Sequence, residues 1–308
     1  MEETNLTEKE LFTLVEYSPE DAEKTGYSDY SYWKSVFATF LKNKVAVTLL
    51  VLFIAVVIFS FVALSIAKFD YNMAPNTPDM LLTPNSTYWF GTDSIGRDMW
   101  SRVWYSSQVS LKLAGIVALG ECLIGVIIGC LWGYIRKLDR FFTELYNIIA
   151  NVPQIIYLTL IAFIVGQGFW SLAMALIFTG WLAMARNVRN LVLMYRDREY
   201  NLASRCLGTP LRRILTKNLV PYLVSVVILR LALSIPNTIS LESTLSYLGL
   251  GLPLDIPSLG ILLRDARTVF LNFPHLLIFP ALIVSLITIT FYLIGNAFSD
   301  ASDPRNHV

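Results

Sequence analysis

Between Lys44 and Lys68 the chain runs for 23 residues, Val45 to Ala67, without a single charge. At about 1.5 Å of rise per residue, a helix of that length covers the ~30 Å hydrocarbon core of a bilayer. A secretory signal peptide is the competing reading, because Ser65-Ile66-Ala67 has the small-x-small pattern. The apolar run is too long for a signal peptide, and so is the stretch that precedes it. Further apolar spans follow at about 113–135, 145–166, 169–185, 222–241 and 276–295. The third and fourth are separated by little more than Gly166-Gln167-Gly168, which suits a tight helical hairpin. Six transmembrane helices are predicted, because only helices or closed barrels satisfy their backbone hydrogen bonds in lipid. Composition agrees: 15% of the 308 residues are charged, against about 25% in soluble domains.

The flanks are polar in an ordered way. Residues 1–30 hold nine Asp and Glu against Lys9 and Lys24, which reads as a flexible acidic tail. Trp33, Val36, Phe37, Phe40 and Leu41 then recur at helical spacing beside Lys34, Lys42 and Lys44, as in an amphipathic helix at a membrane surface. The domain division is therefore 1–44, tail and interfacial helix, and 45–308, a transmembrane domain. With the N-terminus inside, the cytoplasmic segments carry 17 Lys and Arg and the external ones six. That bias places both termini in the cytoplasm, and with them the basic loop 186–221. The net charge of +1 offers no case for nucleic acid.

Two intramembrane features stand out. Gly125, Gly129 and Gly133 fall at four-residue steps and form a ridge on which a neighbouring helix backbone can approach closely. Glu121 lies one step earlier on the same stripe, and Arg230 is the other ionisable side chain deep in a span. A charge at the membrane centre costs roughly 2.5–3.5 kcal/mol on insertion scales, so each needs a partner or water. Their depths differ by only ~5 Å on the helical rise. They are expected to pair or to share a hydrated pathway, with a purely structural ion pair as the plainer alternative.

Residues 199–221, EYNLASRCLGTPLRRILTKNLVP, read as two short helices with a hinge. Asp197 can cap the first. Gly208 is placed like a left-handed residue just past a helix end, and Thr209 and Pro210 like the cap and first residue of the second. Gly91-Thr92-Asp93-Ser94-Ile95-Gly96-Arg97-Asp98 imitates the spacing of a phosphate-binding loop. Arg97-Asp98 stands where Lys and a hydroxyl would be needed. No other such loop exists, so the chain does not hydrolyse ATP alone and no catalytic residue is assigned. Two histidines and three scattered cysteines offer no metal site.

In order along the chain, these segments resemble the C-type permease of oligopeptide and dipeptide ABC importers, a family that includes nickel permeases. The resemblance covers roughly residues 30–305. It rests on Phe90-Gly91-Thr92-Asp93 with Gly96-Arg97-Asp98, Ser101-Arg102 and Ser110-Leu111. It continues through Trp181, Ala185, Arg186, Arg189 and Tyr200, then Glu242 and Leu245 to Gly251, then Pro257-Ser258 with Gly260. Asp300-Ala301 and Asp303-Pro304-Arg305 close it. Ala203, Ser204, Gly208 and Pro221 resemble the family's EAA loop. Leu202 stands at its glutamate position, Ser204 at its second alanine and Asn218 where a histidine is usual. Leu259 replaces a tryptophan, and Asn147 and Asn296 stand where aspartates are common. Glu121 and Arg230 are not part of the family pattern.

The resemblance implies an all-α type I ABC importer permease in a prokaryotic cell membrane. It implies a second homologous permease, two ATPase subunits that bind ATP and Mg, and an extracellular substrate-binding protein as partners, with no cofactor on this chain. The coupling loop would use Glu199, Tyr200, Ala203, Ser204, Arg205, Gly208, Arg212, Arg213 and Pro221. Peptides are the expected cargo, with nickel or another small solute as the alternative. A secondary transporter with Glu121 as proton relay would need inverted repeats with broken helices, and none is visible. A membrane anchor without transport would not need the external and cytoplasmic family blocks.

Overall fold

The computed structural model describes residues 32–73 and 79–302. The acidic segment 1–30, the Trp33 side chain and the terminal Asp303-Pro304-Arg305 block lie outside them. The described chain is helical, with one isolated antiparallel bridge between Thr92 and Asp98.

A surface helix α1 (Tyr32–Lys42) leads into α2 (Lys44–Ser65), whose first turn is capped by Asn43 accepting from the Ala46 N–H at 3.1 Å. Then come α3 (Met99–Tyr134), α4 (Arg136–Ala150), α5 (Gln154–Val165) and α6 (Phe169–Arg196). The short α7 (Glu199–Cys206) and α8 (Leu211–Arg213) precede a π-helical turn, Ile214–Leu219, and α9 (Val220–Tyr247). A small α10 (Leu259–Ala266) and α11 (His275–Ala301) end the bundle.

Five helical stretches are long and apolar enough to cross a membrane: α2, α3, α6, α11 and the run Leu211–Ser246. The span expected at 145–166 is not one helix. It is the pair α4 and α5, bent by 90° at Asn151-Val152-Pro153. Proline disfavours the helical region for the residue before it and has no N–H to continue the ladder, so the break falls where Pro153 stands. A sixth crossing exists only as this bent pair.

Other boundaries also move. Helix α3 starts at Met99 rather than near 113, because the Asp98 carboxylate caps it, accepting from the Trp100 and Ser101 N–H groups. Its first turns hold hydroxyls that stay inside the protein, with Ser101, Ser106, Ser107 and Ser110 all buried. Helix α6 continues to Arg196, so Arg186, Asn187 and Arg189 belong to a bundle helix and not to a loop.

The core of the bundle is the seam between α3 and α6. A Cβ on Gly125 would lie 2.5 Å from Met184, one on Gly129 2.6 Å from the Ala185 carbonyl, and one on Gly133 2.7 Å from Val192. All three are shorter than real Cβ contacts, so the glycine ridge is what lets the two backbones touch. Leu113, Val117, Leu172 and Leu176 continue the seam away from the ridge, joined by Leu158 of α5 and Leu245 of α9. Helix α1 seals one edge: Val36 and Phe40 pack on Ala46, Ala297 and Ala301, while Phe37 and Leu41 remain exposed.

Candidate functional site

One end of the bundle carries α7, held by polar contacts to three elements. The helix ends as Gly208 takes φ +72°. The Gly208 N–H donates to Arg205 O at 2.9 Å, and the Thr209 N–H to Ser204 O at 3.0 Å. These are the paired bonds of a Schellman motif, which favours glycine at the left-handed position. Asp197 does not cap α7, contrary to the sequence reading. Arg198 occupies that position without a side-chain bond, and Asp197 ends α6. Its carboxylate accepts from Arg196 at 3.0 Å and meets Arg205 at 3.5 Å. The Arg196 hydrogen bond, with the charges of Arg196 and Arg205, holds the Asp197 carboxyl below its ordinary range. Pro210 rather than Thr209 is the N-cap of the second helix, which runs through the π turn directly into α9. Pro221 lies in the first turn of α9 and breaks nothing.

Arginine contacts tie α7 and the end of α6 to the bundle. Arg196 Nη1 donates to the Gly133 carbonyl at 2.8 Å, and the Arg205 guanidinium lies 5.0 Å from the Tyr134 ring centre. Arg205 Nη2 donates to Arg196 O at 2.5 Å. The buried Asn201 donates to Tyr195 O at 2.9 Å and accepts from Asn218 Nδ2 at 3.0 Å. Asn218 also donates to Ser204 Oγ at 3.2 Å. Ser204 and Asn218, two departures from the family pattern, therefore touch each other and pin α7 to the π turn. Replacing Asn218 with alanine should leave the buried Asn201 oxygen without its donor, at a cost of about 1–3 kcal/mol. Amide exchange in α7 should then quicken by about tenfold or more while α3 stays protected, and unchanged α7 protection would refute this. Facing outward, Leu202, Tyr200 and the 85% exposed Leu207 leave an apolar edge on α7. Glu199, Arg212 and Arg213 are also exposed around it.

A second site is a cavity of about 630 Å³, opened where α4 and α5 bend apart and walled by α3, α6 and α9. Glu121 and Arg230 both line it, but they do not pair. Glu121 accepts from Ser234 Oγ at 2.5 Å and its carboxyl lies flush on Gly180, where any Cβ would overlap it. Arg230 Nη2 donates to Asn187 Oδ1 at 3.2 Å. Of the two expected arrangements the ion pair is not formed, and the two ionisable groups instead line one hollow with separate partners. The physical reason is that α9 presents Ser234 to Glu121 one turn beyond Arg230, while α6 presents Asn187 to the guanidinium. Reading the sequence for isolated charges missed Asn187, Ser234 and Asn237. Arg230, Ser234 and Asn237 sit at i, i+4 and i+7, a polar stripe that the 3.6-residue period could have disclosed.

At the opposite end, the block Gly91–Asp98 folds into a closed turn. Gly91 and Gly96 have φ +77° and +85°, and a Cβ on Gly91 would overlap the Leu82 carbonyl. Thr92 Oγ1 donates to Asp79 O and accepts from the Leu82 N–H. Asp93 accepts from the Ile95 and Arg97 N–H groups and from Arg97 Nε at 2.7 Å, with the buried Arg102 Nε at 3.5 Å. The Thr92, Asp93 and Arg97 side chains are spent within the loop, which is a structural knot, while Arg102 behind it donates to Tyr71 O and keeps Nε and Nη2 without hydrogen-bond partners. Behind it the buried Glu242 Oε1 accepts from Ser246 and Ser258 hydroxyls at 2.6 Å each, and Ser258 caps α10. Farther along the bundle Asp139 of α4 holds Arg189 at 2.7 Å, and the Arg186 guanidinium stacks 4.0 Å from the Tyr146 ring centre.

A bent pair beside a glycine-seamed bundle, with a polar hollow inside and a short helix fastened at one end, is the architecture of a multi-pass membrane protein. Residues 124–308 match the family described as binding-protein-dependent transport system inner membrane component. Residues 31–84 match the N-terminal transmembrane domain of oligopeptide transport permease C. The oligopeptide transport system permease protein AmiD of Streptococcus pneumoniae is 38% identical over 97% of this chain and 98% of its own length. The dipeptide transport system permease protein DppC of Bacillus subtilis is 33% identical over 99% and 95%. The oligopeptide transport system permease protein OppC of the same organism is 31% identical over 96% and 97%. A chain of the MetNI methionine ABC transporter, solved in inward-facing conformations, superposes with TM-score 0.53 at 22% identity, covering 65% of this chain and 97% of that one. The chain belongs to the binding-protein-dependent transport inner-membrane permeases: it is a permease subunit of an ABC importer.

Proposed function

We propose that this chain is one of two homologous permeases in an importer of oligopeptides or dipeptides. Two ATPase subunits, binding ATP and Mg, would drive it, and an external substrate-binding protein would supply it. The names of the relatives aligned over nearly its whole length support peptide cargo. The observation that carries the coupling role is the attachment of α7. Its exposed edge at Tyr200, Leu202 and Leu207 suits a groove on an ATPase, and the charge bias of the sequence puts that edge in the cytoplasm. Behind the edge, Arg205 of α7 donates to the end of α6, Asn218 of the turn that continues as α9 donates to α7, and Arg196 ties the end of α6 to α3. Displacement of α7 by closing ATPases would then move the helices that wall the cavity, as a lever rather than a tether.

The test is purification of the whole complex through a tag on this chain in mild detergent. ATPase subunits should co-purify, and their hydrolysis should rise when binding protein and peptide are both added. A chain that never brings an ATPase with it, yet moves solute alone in liposomes, would overturn the reading.

A further inference from the structure

The cavity holds a carboxylate and a guanidinium whose hydrogen bonds go to neutral groups, Ser234 and Asn187, and not to each other. Ionisable side chains inside membrane spans are costly, and where they face a cavity they mark pathways for polar cargo. We propose that Glu121 and Arg230 are the two poles of a binding site for a short zwitterionic peptide. Glu121 takes the α-ammonium group and Arg230 the α-carboxylate. The proposal rests on the peptide-permease reading and names the chemistry by which the path holds its cargo.

The size of the hollow admits the ligand: its volume of about 630 Å³ lies within the roughly 300–1,000 Å³ of ordinary small-ligand sites, so a short peptide fits among the residues that line it, Glu121 and Arg230 included. The groups retain capacity for the ligand. A carboxylate has about four lone-pair positions and Ser234 uses one; a guanidinium has about five N–H donors in a rigid fork and Asn187 takes one. Gly180 permits the arrangement, because any side chain there would displace the Glu121 carboxyl. Asn237, one turn beyond Ser234 on the same wall, offers an amide to the peptide backbone.

The experiment measures binding of radiolabelled trialanine to the purified complex of permeases and ATPases, without binding protein, beside N-acetyl-trialanine and trialanine amide. In the wild type each blocked terminus should weaken binding by about tenfold, the loss of one charge-assisted bond. In Glu121→Gln acetylation should cost nothing further, while amidation still costs its full factor. In Arg230→Gln the pattern should reverse, and Arg230→Lys should keep part of the discrimination. Blocked peptides that bind the wild type as well as the free one, or no saturable binding in the millimolar range, would overturn the proposal without need of any variant. So would equal losses from blocking in wild type and variants. ATP-driven uptake of trialanine into proteoliposomes with binding protein is run in parallel. Uptake without terminus-specific coupling sinks this site alone, whereas absence of ATP-driven uptake sinks the peptide-importer reading.

Discussion

Gly208→Pro is expected to abolish coupled transport while leaving the transmembrane bundle assembled. Proline is held near φ −65° and has no N–H, whereas position 208 needs φ +72° and a donor for Arg205 O. The Schellman turn cannot form, and α7 loses the bend that directs it back toward Pro210. A proline forced into an incompatible backbone costs well over ~1 kcal/mol, concentrated in one turn. Peptide uptake by the reconstituted complex should fall by about tenfold or more, the equivalent of ~1.4 kcal/mol, while basal ATP hydrolysis persists or the ATPases dissociate. Gly208→Asp should be milder, because aspartate is tolerated in the left-handed region and no atom lies within 4 Å of a Cβ at that position. Normal uptake by Gly208→Pro would refute the lever.

Gly129→Leu should strike the fold instead. Even the Cβ would lie 2.6 Å from the Ala185 carbonyl and 2.7 Å from Val188 Cβ, and the first of these is backbone that cannot rotate away. Helices α3 and α6 must separate along the whole ridge, and the neighbouring close approaches at Gly125 and Gly133 are lost with them. Overpacking of this kind costs about 1–3 kcal/mol per site, and here it acts on the central seam. The purified complex should show a clearly lowered Tm in detergent and poor yield. Gly115→Ala on the same helix is the control. Nothing lies within 4 Å of that Cβ, and replacing a helical glycine should be neutral or stabilise by up to ~1 kcal/mol. If both substitutions behave alike, the ridge is not what holds α3 to α6.

Much of the architecture was legible because a bilayer imposes few solutions. Val45–Ala67 could be read as a span from length and absence of charge, since an unpaired backbone in lipid is too costly for other forms. The same logic failed for residues 145–166, where hydropathy is continuous but the backbone is not. Pro153 was in plain view, yet hydropathy alone does not say whether a proline bends a span slightly or turns it through 90°. The start of α3 was missed because Ser101, Ser106, Ser107 and Ser110 look like loop residues. They are helical because neighbours bury them.

The candidate site divides in the same way. The left-handed Gly208, the apolar approach along Gly125, Gly129 and Gly133, and the inward stripe containing Glu121 follow from local rules: glycine's conformational freedom and the 3.6-residue period. These needed nothing beyond neighbours in the chain. What the folded bundle alone decided is partnership between distant residues. Glu121 and Arg230 have similar depths, and sequence logic pairs opposite charges at similar depth. The rotation of α9 and α6 about their own axes gives Glu121 to Ser234 and Arg230 to Asn187 instead. Asn218 bonds Asn201 and Ser204 across 17 and 14 residues for the same reason. Periodicity determines which face of a helix a side chain occupies, but not the neighbour it meets there. That is set by how the helices rotate and pack, a property of the whole bundle and of no single segment.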